Sequence, residues 1–267
     1  MNGHAMPDEM LDIMRPDFGS YAPANVHAAF SLRTGGVSEG YYAALNLGAH
    51  VGDAPDHVAE NRRRLRAALS LPAEPRWLSQ VHGTVVLDSD APVRDGVQDR
   101  PCGTLTDAPP VADAIVTRQS GTVCAIMVAD CLPVLLASRD GAVVGAAHAG
   151  WRGLAAGVIE NTVRALDHEP SQLLAWLGPC IGPASFEVGD EVRAALRNAE
   201  GSTQAFAPNA RGRWLCDLHA LARLRLEAMG VVDIRSSAAC TFLDSSKFFS
   251  HRRDGISGRM AALIWRT

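Results

Sequence analysis

A chain of 267 residues, 47% hydrophobic and 20% charged, can bury a large core, which excludes a disordered or collagen-like protein. Its formal net charge of −4 gives no electrostatic reason to expect nucleic acid or an anionic membrane as a partner. With no run approaching about 18 apolar residues, no apolar signal segment and no Cys-x-x-Cys among six cysteines, a cytoplasmic, reduced protein is expected.

Residues 1–24 are polar and punctuated by proline, and read as a flexible leader ahead of one domain spanning 25–267. Val26 to Leu32 has strand character and ends at the turn Thr34-Gly35-Gly36. A helix follows, with Asp56 as its cap and Leu71-Pro72 as its exit. Its basic run, Arg62-Arg63-Arg64-Leu65-Arg66, sits between apolar positions of helical period and reads as a solvated face. Trp77 to Leu87 alternates enough for a strand, and 88–110 is a long Asp/Pro/Gly-rich surface loop.

Two further strands, Ala112–Thr117 and Thr122–Val128, lead into a β-hairpin whose apolar runs flank Arg139-Asp140-Gly141. A turn centred on Arg139-Asp140 sets Cys131 directly opposite His148; one centred on Asp140-Gly141 slips the pairing by one residue on each strand. Directly opposed Cβ atoms lie about 4.5–5.5 Å apart, close enough for two ligands of one metal or for a thiol and its base. Beyond it a helix opens at Gly150–Gly153 and runs to Leu166. A turn-rich exit covers Trp176 to Pro183, a helix runs from Glu187 to about Asn198, and Asp217 caps another ending at Met229-Gly230. Val231–Ser236 and Met260–Trp265 are the last strands, separated by a loop over 240–258. Strands outnumber helices and cluster in runs, so the expected class is α+β, with mixed sheets in a sandwich flanked by helices.

His82, in a Gln-Val-His-Gly turn, joins Cys131 and His148 as the leading chemical set. Imidazole and thiolate together suit zinc, or copper in its reduced state, and three protein ligands leave one position for water or an anionic substrate. The bland alternative is three ordinary structural residues. Gly150-Trp151-Arg152-Gly153 offers backbone N–H groups and a guanidinium to an anion, or is merely a glycine-eased turn with Arg152 in solvent. Arg33 is a second candidate anion contact, and the 250–255 segment with Arg252 a third. Asp130 either orients a ligand, acts as general base or caps the backbone. The near-repeat of Val111-Ala-Asp113-Ala in Val128-Ala-Asp130-Cys131 is too short to mark a duplication.

Several motifs coincide with one family. They are Phe30-Ser-Leu-Arg33-Thr-Gly-Gly36-Val-Ser38, Leu45-Asn46-Leu47, Gln80-Val-His82-Gly83, Ala129-Asp130-Cys131-Leu-Pro133-Val, His148-Ala-Gly-Trp151-Arg152-Gly153, Leu177-Gly-Pro-Cys180-Ile-Gly-Pro183 and Arg252-Arg253-Asp254-Gly255 with Gly258-Arg259. Over residues 25–267 the chain resembles the laccase-domain, or multicopper polyphenol oxidoreductase, family, also called peptidoglycan editing factors. The resemblance implies an α+β sandwich shared distantly with toxin-type cysteine deamidases, and zinc held by His82, Cys131 and His148. It departs from the usual family pattern at His251, commonly a Tyr, and at Ala222, often an Asn.

The name laccase fits poorly with the residues, because the nine histidines include no His-x-His pair for a multicopper cluster. The resemblance instead implies phosphorolysis of adenosine, inosine, guanosine and methylthioadenosine, with deamination of adenosine. Zinc-activated water suits attack at C6 of adenine, with Asp130 beside it as a candidate base. Phosphate held by zinc, Arg33, Arg152 and Arg252 suits attack at C1′, and Asn46 and Gln80 join the expected substrate contacts. The expected partners are thus a small nucleoside and phosphate, in a monomer or homodimer. The alternatives are a hydrolase of a cytosolic cell-wall precursor, with Cys131 as nucleophile and His148 as base, and the polyphenol oxidase of the family name.

Overall fold

In the computed structural model, which describes residues 11–91, 108–197 and 201–267, the chain forms three sheets. Its strands are β1 (Ile13–Met14), β2 (Val26–Ser31), β3 (Val86–Asp88), β4 (Ala114–Thr117), β5 (Val123–Val128), β6 (Leu132–Ser138), β7 (Val144–Ala149), β8 (Leu173–Leu177), β9 (Glu187–Val188), β10 (Phe206–Pro208), β11 (Trp214–Cys216), β12 (Asp233–Ser236) and β13 (Met260–Arg266). The α-helices are α1 (Pro55–Leu69), α2 (Trp151–Ala156), α3 (Val158–Leu166), α4 (Asp190–Leu196), α5 (Leu218–Ala228) and α6 (His251–Asp254). The sheets run β1-β2-β13-β5, β12-β8-β6-β7-β4-β3 and β10-β11-β9. The pairing is mostly antiparallel, with β12 parallel to β8 and β3 parallel to β4, so the class is α+β as expected.

Alternation along the central strands builds the layers. In β13, Met260, Ala262 and Ile264 face one core while Ala261, Leu263 and Trp265 face another. In β6, Leu135 and Ala137 join that first core, and Leu132, Val134 and Leu136 turn to a third. The first core is therefore the filling between the two large sheets. Leu65 and Leu69 of α1 cover the outer face of the four-stranded sheet. Leu154 of α2, with α3 and α5, covers the outer face of the six-stranded one. Each fully buried Leu, Ile or Phe contributes roughly 1.5–3 kcal/mol, so strands buried on both faces read as continuous apolar runs.

Several boundaries differ from the sequence reading for identifiable reasons. Residues 11–24, expected within a flexible leader, are tied down by β1 pairing with β2 and by burial of Phe18; residues 1–10 lie outside the described chain. Trp77–Leu87 is mostly irregular: isolated bridges at Arg76 and Ser79 replace a continuous strand, and only β3 at its end is regular. The middle of the expected 88–110 loop, residues 92–107, lies outside the described residues, as do Cys102 and Asn198. The helix expected over 150–166 divides into α2 and α3 because Gly157 takes φ 101°, ending the first segment with a left-handed cap. Helix α1 starts with Pro55 at its first position, and Asp56 lies in its first turn rather than at the cap. Asp217 does cap α5, its carboxylate accepting from the Ala220 N–H at 3.0 Å. Within the expected 240–258 loop lies the short helix α6.

The hairpin adopts the second of the two registers. Pro133 pairs with His148 and Ala137 with Val144, so the turn centres on Asp140-Gly141. Gly141 takes φ 67°, which a turn there requires. Cys131 consequently precedes the paired strand, and its approach to His148 depends on the turn that carries it.

Candidate metal centre

Three chain segments meet at one end of the intersheet core. His148, near the end of β7, is 4% exposed, and its even-numbered neighbours Val144 and Ala146 line the core between the sheets. Its Nδ1–H donates to Asp113 Oδ1 at 2.8 Å, and its backbone N–H donates to the Asp113 carbonyl at 2.7 Å. The ring is thereby oriented with Nε2 available to the site, the usual way in which a carboxylate fixes the tautomer of a ligating histidine.

The same carboxylate shapes the His82 turn. Asp113, with no exposed surface, accepts the backbone N–H groups of Val81 at 3.2 Å, His82 at 2.9 Å and Gly83 at 2.6 Å. His82 takes φ 61°, a left-handed conformation costing roughly 1–2 kcal/mol. Hydrogen bonds to a charged acceptor contribute roughly 1.5–3 kcal/mol each, so the turn is secured. Upstream, Gln80 clamps the edge of β5: its Nε2–H donates to the Met127 carbonyl and its Oε1 accepts the Met127 N–H, both at 2.8 Å.

Cys131 is presented by a second buried aspartate. Asp130 takes φ 87°, and its carboxylate accepts Thr241 Oγ1–H at 2.6 Å, Ser250 Oγ–H at 3.0 Å and the Arg252 N–H at 2.7 Å. The two halves of the Val-Ala-Asp near-repeat thus do parallel work, each burying a carboxylate that gathers donors around a ligand-bearing turn.

The ligand atoms of His82, Cys131 and His148 all lie within 4.8 Å of one another, the one such group of His, Cys, Asp and Glu among the described residues. Cys131 Sγ is 3.7 Å from His82 Nε2, and the two imidazole rings meet edge-on with centroids 4.8 Å apart. Tetrahedral zinc with standard Zn–S and Zn–N bonds separates sulfur from nitrogen by about 3.6 Å, so the donor set fits that ion. His148 is buried and His82 exposed, so the cluster opens to solvent on the His82 side. Gly150 closes the other side: a Cβ there would lie 2.9 Å from both Cys131 Sγ and His82 Cδ2.

Electrostatics favour a thiolate–imidazolium pair in the metal-free site. Burial opposes ionisation of Cys131, but the charge of His148 and hydrogen bonds from His148 and His82 prevail and bring its thiol down to about 6. Burial likewise opposes the charged form of His148, yet the thiolate and the Asp113 carboxylate raise it to about 9. Burial would raise Asp113, but His148 and the Gly83 and Val81 N–H groups hold it below its usual value.

The other expected contacts have varied placements. The Arg33 guanidinium is engaged by backbone: Nε–H and Nη2–H donate to the Ala43 carbonyl at 3.0 and 2.6 Å, and Nη1–H donates to the Ser245 carbonyl at 2.9 Å. Asn46 is fully buried and bridges Gly48, Asp53 and the Arg259 N–H. Gln80 is the β5 clamp. Arg152 is exposed and lies over the Trp151 ring, while exposed Arg252 donates to the Glu187 carbonyl at 2.8 Å. Asp113 was not among the expected site residues; its only sequence signal was the Val-Ala-Asp near-repeat.

The fold is that of a known protein family. A family model described as multi-copper polyphenol oxidoreductase laccase matches residues 27–267, and the chain belongs to that family. It is 49% identical over 246 residues to the purine nucleoside phosphorylase YfiH of Escherichia coli, covering 91% of this chain and 95% of the relative. A purine nucleoside phosphorylase of Pseudomonas aeruginosa is 48% identical over the same shares. Among solved structures, a Neisseria meningitidis protein superposes with a TM-score of 0.84 at 43% identity, covering 95% of this chain and 98% of that one. YlmD from Geobacillus stearothermophilus gives 0.81 at 35%, covering 92% and 94%.

Proposed function

We propose that this chain is a zinc-dependent purine nucleoside phosphorylase of the cytoplasm that also deaminates adenosine. Its substrates are adenosine, inosine, guanosine and methylthioadenosine, with phosphate as the second reactant. The observation that carries the reading is the convergence of His82, Cys131 and His148 within 4.8 Å, supported by relatives named for this activity at up to 49% identity. No helix among the described residues is long and apolar enough to cross a membrane.

In phosphorolysis a phosphate oxygen forms the bond to C1′ of the ribose as the C1′–N9 bond breaks, and the purine leaves with the bond's electrons and takes up a proton. A zinc ion held by His82, Cys131 and His148 would supply positive charge for an oxyanion and acidify water. The protein's own work is positioning. Asp113 fixes the His148 tautomer and the His82 turn together, and Asp130 fixes Cys131, so the donors are held before substrate arrives. The open side beside His82 admits substrate. Zinc suits the compact sulfur–nitrogen set better than a multicopper cluster, which needs several histidine pairs that this chain lacks.

One observation favours a second reading. Cys131, His148 and Asp113 form a thiol–imidazole–carboxylate series, with Cys131 brought down to about 6, the arrangement of a cysteine hydrolase. His82 has no part in that series, whereas it would be the third donor of a metal site, which supports the zinc reading.

Incubating the purified, zinc-replete protein with inosine tests the proposal. Hypoxanthine and ribose 1-phosphate should form only when phosphate is present. Release of hypoxanthine independent of phosphate, or no release at all, contradicts phosphorolysis. Adenosine should yield both adenine and inosine.

A further inference from the structure

Arg259 ends the loop before β13 and is flanked on both sides by site elements. β13 pairs antiparallel with β5, Met260 facing Val128, so Arg259 stands at the register position of Ala129, adjacent to Asp130-Cys131. Its backbone is locked on the opposite side: the Arg259 N–H donates to Asn46 Oδ1 at 2.9 Å, and its carbonyl accepts the Leu47 N–H at 3.0 Å. The side-chain stem lies on Gly48, where a Cβ would come within 2.8 Å of Arg259 Cγ. That clearance gives a local reason for Asn-Leu-Gly here: Asn46 fixes the arginine's backbone and Gly48 leaves room for its stem.

The guanidinium is half engaged. Nη1–H donates to the carbonyls of Ser257 at 2.8 Å and Gly258 at 3.0 Å, which orients the plane. The Nε–Nη2 edge has no protein acceptor among the described residues, and no carboxylate there pairs with it. Other partly buried arginines do find acids: Arg225 meets Glu160 at 2.6 Å, Arg253 meets Asp254 at 2.8 Å and Arg118 meets Asp88 at 3.2 Å. Burial presses on the Arg259 charge, and the favourable fields it feels include Cys131 and Asp130 of the site itself. His50, two residues past Gly48, is held below its usual value first by burial and then by the positive charges of Arg259, Arg62 and His148. Arg259 therefore presents a two-donor edge that no protein acceptor among the described residues occupies, and a guanidinium edge matches two oxygens of a tetrahedral oxyanion.

We infer that Arg259 is the phosphate-binding residue of the metal centre, its Nε–Nη2 edge receiving two oxygens of inorganic phosphate while Arg33 is spent on backbone carbonyls. This rests on the phosphorylase reading for the identity of the anion but not for the existence of the subsite. Substitution of the arginine should therefore weaken phosphate and leave nucleoside affinity nearly unchanged.

The experiment compares wild type, Arg259→Lys and Arg259→Gln, each zinc-loaded with metal content measured, by calorimetric titration with inorganic phosphate and, separately, with adenosine 5′-monophosphate. Loss of a bidentate charged pair should weaken phosphate about 10-fold in Arg259→Lys and about 100-fold or more in Arg259→Gln. In turnover assays the KM for phosphate should rise by similar factors, and the KM for inosine by less than about 2-fold. Arg259→Lys keeps the charge and guards against a folding failure of Arg259→Gln, with melting temperature as the check. Unchanged phosphate affinity in folded Arg259→Lys and Arg259→Gln overturns the inference, as does an equal rise in both KM values. Arginine-dependent binding of the monophosphate without binding of inorganic phosphate also overturns it. Arginine-dependent phosphate binding in a protein that never cleaves inosine would sustain the subsite and refute the phosphorylase reading.

Discussion

Asp113 and His148 are joined twice, ring to carboxylate at 2.8 Å and backbone to backbone at 2.7 Å, and that same carboxylate gathers the three N–H groups around His82. One buried acid therefore sets the positions of two of the three proposed ligands.

Replacing Asp113 by Asn should expose this coupling. An amide cannot accept from four donors as a carboxylate does, so both the His148 tautomer and the His82 turn loosen. Substitutions in such supporting groups typically cost about 10–100-fold in metal affinity, and a value at the upper end is expected because two ligands are affected. Competition against a chromophoric zinc chelator measures it, and an affinity within 2-fold or so of wild type would argue that Asp113 supports the fold alone.

Metal-free protein should carry a reactive Cys131 with an unusual pH profile. Its thiol titrates at about 6, so the thiolate persists above that pH and is lost below it. His148 titrates at about 9, so at pH values between these it bears the proton that zinc must displace. Zinc binding near neutrality should release about one proton, from His148, and affinity should fall more steeply once Cys131 also protonates. Mass-spectrometric mapping of iodoacetamide labelling at Cys131 should show half-maximal rate near the lowered value. Cys124 and Cys180 are pushed upward by burial, and Cys216 up to about 12, so labelling at neutral pH should discriminate sharply against them. A half-point near the ordinary thiol value, about 8.5, would show that the imidazolium pairing is absent.

Gly150→Ala separates site geometry from stability. A methyl group would stand 2.9 Å from both Cys131 Sγ and His82 Cδ2, forcing those two donors apart. Ala is a poorer helix N-cap than Gly, but that change alone should cost only about 1 kcal/mol of stability. Zinc content should fall well below one per chain while the melting temperature of the metal-free protein barely moves from that of metal-free wild type. Full metal occupancy in this variant would mean that the donors tolerate displacement.

The sequence made the proposed ligands legible and their supports much less so. Cys131, His148 and His82 announce themselves because thiol and imidazole beside strand ends are chemically distinctive, and the continuous apolar runs of β6 and β7 locate the first two. Register was ambiguous by one residue per strand because Arg139-Asp140-Gly141 permits two turns, and only packing of both faces chooses between them. Arg33 looked like an anion contact because its charge is visible in a sequence, whereas the Ala43 and Ser245 carbonyls that engage it come from distant segments. Asp113 went unnoticed for the converse reason: its four donors belong to a turn about 30 residues earlier in the chain and a strand about 35 residues later. The irregular Trp77–Leu87 segment alternates like a strand, but it is held by the Gln80 clamp and isolated bridges rather than a ladder.

Metal stoichiometry on one preparation tests the central claim most directly. Wild-type protein and Cys131→Ala, purified in parallel and dialysed against metal-free buffer, are measured by inductively coupled plasma mass spectrometry. Close to one zinc per wild-type chain and almost none in Cys131→Ala is the expected result. A wild-type protein that binds no zinc when it is supplied, or a Cys131→Ala variant that retains a full equivalent, would contradict it.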